Sequence, residues 1–219
     1  GAAQAQTYST SAVDIRYAAA TVTVVAENRS DVSAEVTAGA RVPAPSEFTL
    51  DPEAAYVHIT SNNTLFGSQW ASYPETGAVP LVCDMTSDFG SRAIDWSKVA
   101  VAYAGAQKNV GPAGVTIVVA RKDLVAAGRT DIPQIFRYKA YAESESLLNT
   151  PPVFAIYMLR NTVRALLDWG GLSAIAKECE EKAAMLYATV DAEPDFWRAP
   201  VEKASRSRMN VVFRLPTEA

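Results

Sequence analysis

Two short apolar runs, residues 99–103 and 115–120, flank a stretch that reads Ala-Gly-Ala-Gln-Lys-Asn-Val-Gly-Pro-Ala-Gly (residues 104–114). This arrangement constrains the chain more than any other. Apolar runs of that length with Gly and Pro between them predict strand, turn, strand, and they place Lys108 near the tip of the turn. The turn is short enough that the second strand should return antiparallel to the first. Gly105, Ala106, Gly111, Ala113 and Gly114 leave open space around the ammonium. A solvated loop lysine is the commonplace alternative. A lysine partly desolvated beside an apolar sheet is instead the kind that forms a Schiff base with a carbonyl compound.

The strands before and after this turn extend the pattern. Residues 55–59 and 79–83 read as short buried strands, and with 98–103 and 115–121 they predict a sheet of near-continuous apolar runs, covered on both faces. Helical periodicity then takes over. Pro151 and Pro152 set the start of a helix over residues 153–169, and Gly170 and Gly171 stop it. A second helix follows over 172–190, with Ile175, Cys179, Ala183, Leu186 and Val190 on its apolar face. Lys177, Glu178, Glu180, Glu181 and Lys182 form its solvated face. Residues 209–215 return to strand character. The fold class is therefore α/β, a mostly parallel sheet with helices covering it. In such sheets ligands collect beyond the C-terminal strand ends, where Thr64, Asp84 and Lys108 all fall.

The first fifty residues are the least informative. Residues 21–26 predict one strand ended by turn chemistry at 27–31, and 41–52, with three prolines, reads as an extended connector. The expected organisation is a poorly assignable segment 1–50 and a domain over 51–219.

Charge and cysteines bound the function. A net charge of −4 gives no reason to expect nucleic acid or an anionic membrane as partner. No run has the length of a transmembrane helix, no signal sequence opens the chain, and the start at Gly1 suggests a processed or trimmed N-terminus. Cys83 reads as a small core residue, and Cys179 lies far from it, so a reducing compartment is expected: cytoplasm, or an organelle matrix or stroma. A single histidine, His58, builds no metal site and reads as a satisfied core residue. Asn28-Arg29-Ser30 and Asn62-Asn63-Thr64 match the glycosylation tripeptide and are read as chance.

The segment 104–114 closely resembles the cofactor-lysine segment of phosphoserine aminotransferases. The resemblance runs from about residue 50 to 215. It passes through Tyr-Val-His-Ile-Thr-Ser-Asn-Asn-Thr (56–64), Leu-Val-Cys-Asp-Met-Thr-Ser-Asp-Phe (81–89), Leu-Asn-Thr-Pro-Pro (148–152) and Ser-Arg-Met-Asn-Val (207–211). Several motifs in order are far more specific than one. The resemblance implies a pyridoxal-phosphate enzyme of the type I aminotransferase-like fold, here the PLP-transferase large domain truncated at both ends. It implies that Lys108 is the catalytic lysine that carries the cofactor, that Asp84 pairs with the pyridine nitrogen, and that Thr64 and Gln107 contact the cofactor. It further implies that Asn149 and Thr150 reach the cofactor phosphate of a neighbouring subunit, which makes a homodimer or a larger assembly the expected state. Without the resemblance, Asp84 is a turn-initiating aspartate and Asn149-Thr150 a helix N-cap.

Resembling enzymes are longer at both ends. Their glycine phosphate loop, their ring-stacking aromatic and their cationic substrate groups have no counterpart that can be placed here, and Trp70 and Trp96 lie in the wrong sequence context for the stacker. Two expectations follow. In one, the chain belongs to a phosphoserine aminotransferase that exchanges amino groups between glutamate and 3-phosphohydroxypyruvate, with small amino and keto acids as substrates. In the other, it is a non-catalytic, aminotransferase-derived structural subunit of a larger assembly.

Overall fold

The structure, a computed structural model, describes residues 19–26, 32–38 and 54–217. Strands β1 (Ala19–Ala26) and β2 (Val32–Ala38) pair antiparallel as a two-stranded sheet of their own. The expected turn at 27–31 and connector at 41–52 lie outside the described residues.

A four-stranded sheet positions everything that follows. Its order is β3 (Val57–Thr60), β6 (Leu81–Asp84), β7 (Val101–Gly105), β8 (Thr116–Ala120). Between β3 and β6 a small hairpin is formed by β4 (Asn62–Asn63) and β5 (Ser68–Gln69). The first three strands of the large sheet are parallel, with Ile59 opposite Cys83 and Asp84 opposite Tyr103. β8 returns antiparallel, placing Gly105 opposite Thr116, as the short turn requires. The four strands expected for this sheet are present, with bounds that differ by one to three residues.

Burial alternates along β3 and β6: Val57, Ile59, Leu81 and Cys83 point into a core shared with Trp70 and Met85, while His58, Thr60, Val82 and Asp84 are only half-buried. Strands buried on both faces would not alternate, so the expectation of a sheet covered on both faces is corrected. Among the described residues one face is packed and the other is partly open, and β8 carries no buried residue. The apolar runs are interrupted by His58 and Asp84, and those two residues are where the pleat turns outward. His58 accepts or donates at 2.9 Å to the Tyr103 hydroxyl on that half-open face, with the two rings stacked.

Short helices α1 (Lys122–Ala126) and α2 (Tyr138–Glu143) lead to α3 (Val153–Asp168) and α4 (Gly171–Ala192). Pro152 is the N-cap of α3, and Trp169 and Gly170 separate it from α4, with Gly170 and the first α4 residue, Gly171, both at positive φ. Asn149 and Thr150 therefore do not cap the helix. On α4, Ile175, Ala183 and Val190 are buried as the periodicity requires, but Leu186 is exposed. Ion pairs Lys177–Glu181 and Glu178–Lys182 run along its solvated side. The strand expected at 209–215 is also corrected. Arg214 makes only an isolated bridge with Arg198, and just upstream the amides of Ser207 and Arg208 bond to Gly67 and to the Gln69 side chain while those of Met209 and Asn210 bond to Ser207 Oγ, so no strand ladder forms there. No helix among the described residues is long and apolar enough to cross a membrane.

Candidate active site

Three parallel strands end side by side, and each is followed by a polar turn. The turn after β3 carries Thr64, that after β6 begins at Asp84, and that after β7 carries Gln107 and Lys108 on a single 3-10 turn, Ala106–Lys108. Parallel register thus puts all four residues beyond the same edge of the sheet.

Side chains stitch these turns together. The Asn62 side chain donates to Ser87 Oγ at 2.9 Å, and Ser87 Oγ donates back to the Asn62 carbonyl at 2.8 Å. This pair joins the Thr64 turn to the Asp84 turn. The Gly105 amide donates to Thr86 Oγ1 at 3.3 Å, and Asn109 Nδ2 donates to the Phe89 carbonyl at 2.8 Å. These two join the Asp84 turn to the Lys108 turn.

Asp84 has the turn-initiating role that its position suggests, and it has more. Its Oδ1 accepts from the Thr86 amide at 2.9 Å, while its Oδ2 accepts no hydrogen bond among the described residues. The half-buried carboxylate therefore keeps one oxygen for a ligand donor. Lys108 is exposed and forms no ion pair among the described residues, which corrects the expectation of partial desolvation. Gln107 is exposed too, but its amide folds back over Gly105: a Cβ there would sit 2.7 Å from Gln107 Nε2. Thr64 is exposed and its carbonyl accepts from Asn210 Nδ2 at 3.1 Å. Asn149 and Thr150 lie exposed between α2 and α3, with no hydrogen bond to the other four.

Beneath the edge sits a buried carboxylate that sequence reasoning missed. Asp88 accepts from Ser61 Oγ, from Gln69 Nε2 at 3.0 Å and from Arg92 at 3.5 Å. Burial pushes its carboxyl above the usual range, against the pull of those donors. Ser61 also bonds to the Asp84 carbonyl through its amide at 2.9 Å, so Asp88 supports the strand end from below. The polar run 84–88 was visible in the sequence, but nothing local marks which of its two aspartates turns inward. Asn62 is buried and hydrogen-bonded, which leaves its amide inaccessible to glycosylation. Trp70 is packed in the core and so stacks on no ligand at the edge.

A separate cavity of about 250 Å³ opens between α4 and residues 203–208. Its cations are already committed, Arg206 and Lys203 to Asp191 and Arg208 to Glu180. It is not the candidate site.

Residues 20–217 match the family described as aminotransferase class-V. The chain belongs to that family. Among its class-V relatives, a phosphoserine aminotransferase of Lysinibacillus sphaericus is 47% identical over 177 residues, 81% of this chain and 49% of the relative. One from Desulfosudis oleivorans is 51% identical over 175 residues, 80% of this chain and 48% of the relative. A solved phosphoserine aminotransferase from Bacillus circulans subsp. alkalophilus superposes with a TM-score of 0.78 at 43% identity, covering 80% of this chain and 49% of that one. One from Trichomonas vaginalis, described as PLP bound, gives 0.75 at 35% identity over 81% of this chain and 49% of its own. The chain thus spans about half the length of the curated class-V relatives it matches.

Proposed function

We propose that this chain is the lysine-bearing part of a phosphoserine aminotransferase, exchanging the amino group of glutamate with 3-phosphohydroxypyruvate by way of pyridoxal phosphate. The carrying observation is that Asp84 ends β6 and Lys108 lies on the turn after its parallel neighbour β7, at one edge of the sheet, in a chain about half identical to enzymes of that name.

The residues fit the cofactor. Asp84 has one carboxylate oxygen in hand for a ring N–H. Lys108 is an accessible amine, and the cradle over Gly105 is one that a side chain larger than hydrogen would crowd against Gln107. Pyridoxal phosphate supplies, when bound, an electron sink for the substrate's α-carbon. Asp84 would hold the proton on the pyridine nitrogen, its carboxylate fixed in direction by the Thr86 amide. Lys108 would hold the cofactor covalently and, once released by the incoming amino acid, carry the proton to and from the substrate carbon. Thr64 and Gln107 would orient the cofactor from either side. Asn149 and Thr150 are exposed and make no hydrogen bond to these four among the described residues, which suits a role at a second subunit's site and a homodimeric assembly. Tyr138 and Leu147, on the same connection, are exposed and available to such a partner.

The test is covalent. The purified chain is incubated with pyridoxal phosphate, reduced with borohydride and mapped by peptide mass. Label on Lys108, lost completely in Lys108→Ala with an unchanged melting temperature, is the expected result, because the Lys108 side chain has no ion-pair partner to lose among the described residues. Turnover of glutamate and 3-phosphohydroxypyruvate, followed as 2-oxoglutarate release, should be slow or absent in this chain by itself. Positioning of substrate commonly accounts for about 7–11 kcal/mol of barrier reduction, and no residue here is assigned to the substrate carboxylate or phosphate. A chain that takes up no label refutes the reading in favour of a structural subunit.

A further inference from the structure

The turn that carries Thr64 is not held by its own hairpin alone. Within the turn, Asn63 Oδ1 accepts from the amides of Leu65 and Phe66 at 3.0 and 3.2 Å, and the Gly67 amide closes back to the Asn63 carbonyl at 2.9 Å. The carbonyl of Thr64 points away from this set. Its donor comes from far along the chain, from Asn210 Nδ2 at 3.1 Å.

Asn210 is itself oriented. Its Oδ1 accepts from Asn62 Nδ2 at 3.1 Å, which leaves its Nδ2 facing Thr64. The Asn62 amide is fixed in turn: its Nδ2 hydrogens go to Ser87 and Asn210, and its Oδ1 accepts from Ser207 Oγ. Flipping Asn210 would set donor against donor at Asn62 and acceptor against acceptor at the Thr64 carbonyl, and flipping Asn62 would set its Oδ1 against Asn210 Oδ1, so the orientation is determined by the network. Asn62 and Ser207 are fully buried, and Ser207 Oγ accepts from the amides of Met209 and Asn210 at 2.9 and 3.2 Å. The Ser207 amide also donates to the Gly67 carbonyl at 2.8 Å.

We propose that Asn210 is a positioning residue for the cofactor edge: held by Asn62 and Ser207, it fixes the Thr64 turn beside the Asp84 turn. Residues 207–210 are then a strap that sets one wall of the site without touching the ligand. The link to cofactor binding rests on the function proposed above, but the strap itself can be read independently. The chemistry is that of one neutral hydrogen bond and its absence. Asn210→Ala deletes the donor. Asn210→Asp keeps an oxygen for Asn62 and turns a carboxylate oxygen toward the Thr64 carbonyl, which is repulsive.

Two measurements on the full chain decide it. In hydrogen exchange, the amides of Leu65, Phe66 and Gly67 should exchange about tenfold faster in Asn210→Ala and faster still in Asn210→Asp. Unchanged exchange in both variants overturns the proposal, whatever the cofactor does. The dissociation constant for pyridoxal phosphate, titrated by absorbance well below the melting temperature, should rise about tenfold in Asn210→Ala. A lowered melting temperature with an unchanged dissociation constant would reduce Asn210 to a structural role and overturn the positioning claim. Wild-type chain that binds no pyridoxal phosphate refutes the proposed function instead, and the exchange result still stands on its own.

Discussion

The sheet edge and the helical third of this chain are built on opposite plans. Beneath the edge, polar residues are buried and each turn is tied to its neighbour; Ser61 and Ser207 have 0% exposure and both are hydrogen-bonded. On α3 the large apolar residues lie outside. Phe154 is 73% exposed and Trp169 at its C-cap is 61% exposed, while Ala155 is the helix's one buried residue. The contrast teaches that the site-bearing edge is tied together by hydrogen bonds, whereas α3 holds a face that the described residues do not cover. An apolar residue contributes to stability only through the surface it removes from water, so hydrophobicity in the sequence overstates what α3 adds.

Substitution in the two regions tests this directly. Trp70→Ala, in the core under the β4–β5 hairpin, is expected to cost about 3–5 kcal/mol in urea unfolding. Phe154→Ser should change stability by no more than about 0.5 kcal/mol at low protein concentration. A comparable loss at both sites would break the comparison and show that α3 is covered in solution. A smaller effect tests the edge alone. Gly67 has φ +73° and a Cβ there would lie 2.8 Å from Val212 Cγ2, so Gly67→Ala should cost about 1–2 kcal/mol of backbone strain before any repacking. A neutral Gly67→Ala would mean that the hairpin and Val212, just past the 207–210 strap, pack more loosely than their close approach indicates.

The smallest effect is a pH dependence. Burial raises the Asp88 carboxyl above its ordinary value of 3.8, so the native state binds more protons than the unfolded one between that value and the raised one. Its contribution to stability is complete below 3.8 and is lost as pH rises through the window. Urea midpoints measured across that window should fall with pH in the wild type, and the Asp88→Asn profile should be flatter. A wild-type profile rising over the same interval would show that Ser61, Gln69 and Arg92 outweigh burial.

Much of this architecture was legible in the residues because it depends on local chemistry. Gly and Pro around Lys108 dictate a tight turn, and Pro152 and Gly170 punctuate α3; each acts through φ and ψ over a few residues, whereas the alternating burial of β3 and β6 was not expected from their apolar runs. Placement of Thr64, Asp84, Gln107 and Lys108 beyond one strand edge follows from parallel register and was expected on those grounds. What tertiary structure alone decided is which polar groups meet. Asp84 and Asp88 are four residues apart in the same turn, and only packing against Ser61 and Gln69 separates the outward carboxylate from the buried one. Asn62 and Asn210 are 148 residues apart, and their amide orientations exist only once both are held in place. No periodicity encodes such a bond. A hydrogen bond between distant residues depends on the relative position of two backbones to within a few tenths of an ångström, and the assembled fold alone sets that position.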